Sequence, residues 1–291
     1  MPYANVNDIR MYYEEQGDPG AIPLILLHGA SGAIDAPSSG WTDHMPAFAE
    51  RYRAIHLEHR GHGRTDNPAG KIRYEMIADD VVAFIEHLGA GPAHIAGVSD
   101  GGIVALVVGM TRPDVARALV AVGPNYYNDE LVEIANRFAD LDLMERERPH
   151  EMAILAARHD RDKPAGWWRE LYRQLAENLA SYPAYSREDL ARIPNPTFLI
   201  AGGRIKLQLC PQMPHRPFVV RLPRGIRRKD ERTIEVGTHP RGRLQRSACI
   251  SESRECVIRS PDIIEQIRRI HQRTEVLLEQ AHLPKHTHHK I

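Results

Sequence analysis

The sequence predicts an α/β protein whose mostly parallel sheet is flanked by helices and interrupted by a helical cap. Three observations carry that expectation. Short apolar runs, Ile22–Leu27 and His94–Gly97 among them, have strand length and lack alternation, the pattern of strands buried on both faces. Helical stretches fall between such runs, and strands alternating with helices imply parallel pairing through right-handed crossovers. Residues 126–192 then break the rhythm with a long, charged, helical stretch before a strand returns.

Residues 8–14 carry β-formers and end at Gln16-Gly17-Asp18-Pro19-Gly20, a strand followed by a turn. Ile22–Leu27 is closed by His28-Gly29. Arg53–Glu58 is the next strand, stopped by the glycine-studded stretch from His59 to Thr65. From Tyr74 to Leu88, Ile77, Val81, Phe84, Ile85 and Leu88 share one helical face, and Gly89–Pro92 ends the helix. His94–Gly97 is followed by a helix rich in small residues, Gly101–Arg112, halted at Pro113. Ala116–Gly123 supplies another strand, and Thr197–Ala201 resumes the sheet after Pro194 and Pro196. Within 126–192, Trp167, Trp168, Leu171, Tyr172 and Leu175 sit at helical spacing. A helical insertion between two strands of one sheet reads most simply as a cap over the strand ends, where open α/β sheets bind ligands; the other reading is a separate helical domain.

Beyond Arg204 the pattern decays. Pro217–Leu222 and Arg232–Val236 are short strand candidates and Asp262–Gln280 a candidate helix. Charge changes at the same place: residues 204–291 hold 19 Lys and Arg against 9 Asp and Glu, whereas residues 1–203 hold 19 against 29. The expected organisation is a core over 1–125, a cap over 126–192, a return to the sheet over 193–203, and an atypical basic segment over 204–291.

At 291 residues the chain suits one large domain or two small ones. No apolar run reaches the roughly 18 residues of a membrane span, and the N-terminus lacks the basic and apolar stretches of a secretory signal. Three cysteines, Cys210, Cys249 and Cys256, suit a reducing compartment better than a disulfide framework, so a cytoplasmic location is expected. Phosphate loops, zinc spacings and dinucleotide fingerprints are absent, so no cofactor or metal is expected. The basic run Arg221–Arg232 raises nucleic-acid binding, but it lacks aromatic interleaving and a recognised module; the expected partner is a small-molecule substrate. The terminal His286-Thr287-His288-His289 reads as a solvated end or a weak metal site. Oligomeric state leaves no trace in the sequence.

The chemistry concentrates at Gly97-Val98-Ser99-Asp100-Gly101, the pattern of a strained strand-to-helix turn that lifts a serine hydroxyl clear of the backbone. Side chains at the flanking glycines would collide with the neighbouring elements. The helix that follows points its first amides toward a developing oxyanion. His59, Arg60 and His62 surround the other glycine loop and read as loop structure or as substrate contacts.

Three motifs now stand in order: Leu24-Ile25-Leu26-Leu27-His28-Gly29, Glu58-His59-Arg60-Gly61-His62-Gly63-Arg64-Thr65 and Gly97-Val98-Ser99-Asp100-Gly101-Gly102. This series resembles that of the α/β-hydrolase superfamily over residues 1–203. The Ser-Asp-Gly-Gly turn and Gly123-Pro124-Asn125 are similar to the valacyclovir-hydrolase-like, biphenyl-hydrolase-related branch. The resemblance implies Ser99 as nucleophile and the backbone amides of Ala30 and Asp100 as an oxyanion hole, with Gly29 and Asn125 against the substrate. The Asp100 side chain reads either as a substrate contact or as a helix N-terminal charge. A serine, where dehalogenases and epoxide hydrolases of this fold carry a carboxylate, implies acyl transfer to water from an ester-, lactone- or amide-like substrate.

The remaining partners are not evident. The family's acid follows the strand equivalent to Thr197–Ala201, but here Ala201-Gly202-Gly203-Arg204 runs into Ile205. Gly237-Thr238-His239 is the nearest echo of the histidine loop, which makes His239 the general-base candidate; Asp230 and Asp129 are weaker acid candidates. Residues 204–291 read as a divergent ending or as translation out of frame. The expected function is therefore a serine hydrolase, with a catalytically impaired or non-catalytic small-molecule binder as the alternative.

Overall fold

The computed structural model describes residues 3–36, 41–127 and 132–201, together with the backbone of 218–221. Eight strands form one sheet among these residues. They are β1 (Tyr3–Val6), β2 (Ile9–Gln16), β3 (Pro23–Leu27), β4 (Arg53–Leu57), β5 (Ala93–Val98), β6 (Ala116–Val122), β7 (Thr197–Ala201) and β8 (Phe218–Arg221), in the order β1-β2-β4-β3-β5-β6-β7-β8. β1 and β2 are antiparallel to their neighbours, and all other pairs are parallel.

The expected strands from Ile22 to Ala201 appear with bounds shifted by a residue or so, and the Pro217–Leu222 candidate is β8. β1 was not foreseen. It pairs with β2 across a tight turn in which Asn7 takes φ +48°, and Ala4, Val6, Ile9 and Met11 alternate into the core. All five residues of β3 are buried, as a strand covered on both faces requires.

Helix α1 (Met45–Ala49) leads into β4. Helix α2 (Tyr74–Leu88) buries Ile77, Val81, Phe84 and Ile85 along one stripe and ends at Gly89 in the left-handed conformation. Helix α3 (Asp100–Thr111) is buried over nearly its whole length, and it packs against α2, β5 and β6. That placement explains why its sequence is apolar and small-residue-rich all round.

Between β6 and β7 the chain forms α4 (Val132–Ala139), α5 (Leu141–Glu147), α6 (Pro149–His159), α7 (Trp167–Ser181) and α8 (Arg187–Leu190). α7 buries Trp168, Leu171, Tyr172, Leu175 and Leu179, and Leu171 and Leu175 join the main hydrophobic cluster of the sheet. The two ends of the insertion meet at a β-bridge between Tyr127 and Ala184.

Among the described residues no helix is long and apolar enough to cross a membrane. The expectations for Ile205, Asp230, Arg232–Val236, His239, Asp262–Gln280, Asp129 and the three cysteines lie outside the described residues.

Candidate active site

Ser99 sits between the carboxyl end of β5 and the first turn of α3, with φ +53° and ψ −118°. Positive φ is costly for a residue with a β-carbon and persists only where the surroundings enforce it. Here the enforcement is visible. The Ser99 amide donates to Val122 O of β6 at 2.7 Å, and the Ile103 amide donates to Ser99 O at 3.0 Å. A β-carbon on Gly97 would lie 2.0 Å from Gly101 O, and one on Gly101 would lie 2.4 Å from Leu27 O. The chain crosses itself too closely for side chains at either position. Ser99 itself is exposed.

Two further segments converge on it. Gly29, after β3, approaches so closely that a β-carbon there would stand 3.3 Å from Ser99 Cβ, which brings the Gly29-Ala30 stretch beside the serine. Asn125, half-buried, lies three residues beyond Val122, whose carbonyl holds the Ser99 amide. Asp100 turns inward and is 5% exposed. Burial pushes its carboxyl up to about 7, with the Tyr74 hydroxyl beside it acting in the opposite direction. The same burial, and then Asp100, pushes the Tyr74 phenol well above its ordinary value.

A second cluster lies under the Gly29–Ile34 loop. The rings of His28 and His59 stack at 3.9 Å, His62 is 4.9 Å from His28, and His159 is 5.7 Å from His62. All four are buried, and burial holds each imidazole far below its usual pKa, to about 4 for His62. Neighbouring imidazoles push in the same direction at His28, His59 and His159. Glu58 accepts from the amides of Arg64 at 2.6 Å and Ile34 at 3.4 Å, tying the same two loops together. His59, Arg60 and His62 are themselves buried.

The insertion fastens onto this glycine loop. Trp167 Nε1 donates to Gly61 O at 2.8 Å, Lys163 Nζ donates to Gly63 O, and the Gly63 amide donates to His159 Nδ1 at 3.1 Å. Desolvation brings the Lys163 ammonium down to about 8. Sequence reasoning placed Trp167 on a helix but missed His159 and Lys163. Their partners are backbone atoms 96 and 100 residues away, which leave no mark in the local pattern. Among the described residues no group of three or more His, Cys, Asp or Glu side chains is placed to hold a metal ion.

A strained serine between a parallel strand and a buried helix, faced by the loop after a neighbouring strand, defines the class. The chain belongs to the α/β hydrolase fold family, whose model matches residues 22–182. It is similar to the dihydrolipoyllysine-residue acetyltransferase component of the acetoin cleaving system of Pseudomonas putida, at 28% identity over 69% of this chain and 56% of that protein. It is also similar to (E)-2-((N-methylformamido)methylene)succinate hydrolase of Acinetobacter baylyi, at 29% identity over 41% of this chain and 43% of that one. The match thus spans about half the length of these curated relatives. Among solved structures, the enol-lactonase from Burkholderia xenovorans LB400 superposes with a TM-score of 0.52 at 21% identity, over 69% of this chain and 81% of that one. This last likeness concerns the fold.

Proposed function

We propose that this protein is a serine hydrolase that cleaves a small ester-, lactone- or amide-like substrate through an acyl-Ser99 intermediate. The observation that carries the reading is the strained φ of Ser99 at the mouth of β5, enforced by Gly97 and Gly101. Strain of this kind is stored where a hydroxyl must be presented at a fixed angle. Ser99 Oγ attacks the substrate carbonyl while an imidazole takes its proton. The amides of Ala30 and Asp100 receive the oxyanion, and the leaving group departs with the proton; water then reverses the sequence.

Among the described residues, the buried His28, His62 and His159 spend ring nitrogens on loop backbone. The general base is therefore sought in residues 204–291, where His239 is the candidate. The helical insertion acts in this reading as a cap over the strand ends, and Gly29 and Asn125 line the substrate side.

A second reading rests on Ile205, which stands where the family resemblance calls for an acid. Under it the protein binds a small molecule with little or no turnover. Covalent labelling with a fluorophosphonate separates the two. Rapid labelling abolished by Ser99→Ala supports the hydrolase; equal labelling of the wild type and Ser99→Ala eliminates it, and absent labelling favours the binder.

A further inference from the structure

Three consecutive carbonyls of the loop after β3 each end on a different buried imidazole. Gly29 O contacts His28 Nδ1 at 2.7 Å, Ala30 O contacts His62 Nε2 at 2.5 Å, and Ser31 O contacts His159 Nε2 at 3.3 Å. The opposite nitrogens fix two of the tautomers. His28 Nε2 accepts the amide of His59 at 3.1 Å, and His159 Nδ1 accepts the amide of Gly63 at 3.1 Å. A nitrogen that accepts carries no proton, so each neutral ring keeps its hydrogen on the nitrogen facing the loop.

A carbonyl and the amide that follows it share one planar unit and point in opposite directions. Holding Gly29 O, which also accepts the Gly32 amide at 3.0 Å, therefore aims the Ala30 N–H away from the imidazole cluster. Holding Ala30 O and Ser31 O prevents the next two peptides from turning. His28 and His62 belong to the core, but His159 is the last residue of α6, 128 residues from Ser31 in sequence. Its ring is 0% exposed. Through its two nitrogens it joins the 29–34 loop to the 58–65 loop.

We infer that His159 is a positioning residue of the oxyanion loop: the insertion supplies the ring that fixes the Ser31 peptide and, through it, the orientation of the Ala30 amide. This rests on the reading of Ser99 as a nucleophile. Burial, aided by His62 and Arg158, holds the ring neutral, so both of its hydrogen bonds stand together at neutral pH.

The test uses the full chain with His159→Phe, which removes donor and acceptor at similar size, and His159→Gln, which restores one of each. Two quantities are read: acylation by p-nitrophenyl acetate, with kcat and KM separated, and amide hydrogen exchange across residues 29–34. His159→Phe should lower kcat at least about tenfold with KM little changed, the expected sign of a misaimed oxyanion donor, and speed exchange at 30–32. His159→Gln should recover most of both. Unchanged exchange in His159→Phe overturns the inference, and so does unchanged acylation. If the wild type itself fails to acylate, the nucleophile reading falls, and exchange alone decides whether His159 holds the loop. Should His159→Phe not fold, long-range nitrogen–proton NMR of the wild type decides: hydrogen on Nε2 supports the inference and hydrogen on Nδ1 overturns it.

Discussion

Arg60 grips Asp80 with two hydrogen bonds, Nε to Oδ2 at 2.7 Å and Nη2 to Oδ1 at 2.8 Å, and their side chains are 3% and 0% exposed. The same guanidinium reaches Asp8 at 3.0 Å and Asn67 at 3.2 Å, while Asn7 donates to Asp80 at 2.8 Å. One buried pair thus ties the β1–β2 turn and the glycine loop to α2. Removing Asp80 leaves the buried Arg60 with only the exposed Asp8 carboxylate as ionic partner. Asp80→Ala should therefore cost about 3–5 kcal/mol in urea unfolding. Arg60→Met with Asp80→Leu should cost clearly less than the two single changes together; a purely additive loss would refute the buried-charge account.

The turn around Ser99 makes a sharper distinction between neighbouring glycines. A β-carbon on Gly101 meets the backbone oxygens of Leu27 and His28 at 2.4 and 2.6 Å, whereas one on Gly102 comes no closer than 3.2 Å to Gly97 O. Backbone oxygens in a buried sheet cannot swing aside as a side chain can. Gly101→Ala should destabilise by about 1–3 kcal/mol or more, and Gly102→Ala by distinctly less. Thermal melts of the two variants, side by side, settle the order.

Acid should unfold the protein early. His28, His59 and His159 are held well below their ordinary value, His62 at about 4 and His56 at about 3, with burial the leading cause in each. Below about pH 6.5 the unfolded chain takes up protons that the folded chain refuses, so stability falls with pH from there to about 4 and below. Each such group adds at most about 1.4 kcal/mol per pH unit. Urea midpoints at pH 7, 5.5 and 4.5 should drop in that order, and a flat series would contradict the buried neutral imidazoles.

Asp100 works in the opposite direction. Its folded carboxyl, raised to about 7 from 3.8, holds a proton that the unfolded chain releases, so its contribution is lost as pH climbs through 7. Asp100→Asn removes a group that ionises while leaving the backbone amide in place. The variant should gain stability relative to the wild type at pH 8 and show little difference near pH 4. Parallel curves for the two proteins across that range would show that Asp100 is already ionised in the fold.

Much of the scaffold is readable because its signals are local. The apolar run at Leu24–Leu27, the stripe of Ile77, Val81, Phe84 and Ile85, and the paired glycines at 97 and 101 each report a nearby steric or burial requirement. β1 escaped because four residues of alternating burial, Tyr3–Val6, carry little pattern on their own. His159, Lys163 and Tyr74 escaped for another reason. What makes them matter is a loop or carboxyl brought in from elsewhere, and an isolated histidine at the end of a helix looks like any other. The proposed base, His239, falls in residues 204–291, where the composition shifts and the pattern of alternating strands and helices decays.

The grip of Trp167, Lys163 and His159 on Gly61 and Gly63 ends entirely on peptide atoms. Every residue but proline carries both peptide atoms, so other exchanges of side chains along that stretch leave the attachment points in place while the backbone keeps its course. The burden of recognition falls on the segment between β6 and β7, which must keep an indole, an ammonium and an imidazole in register.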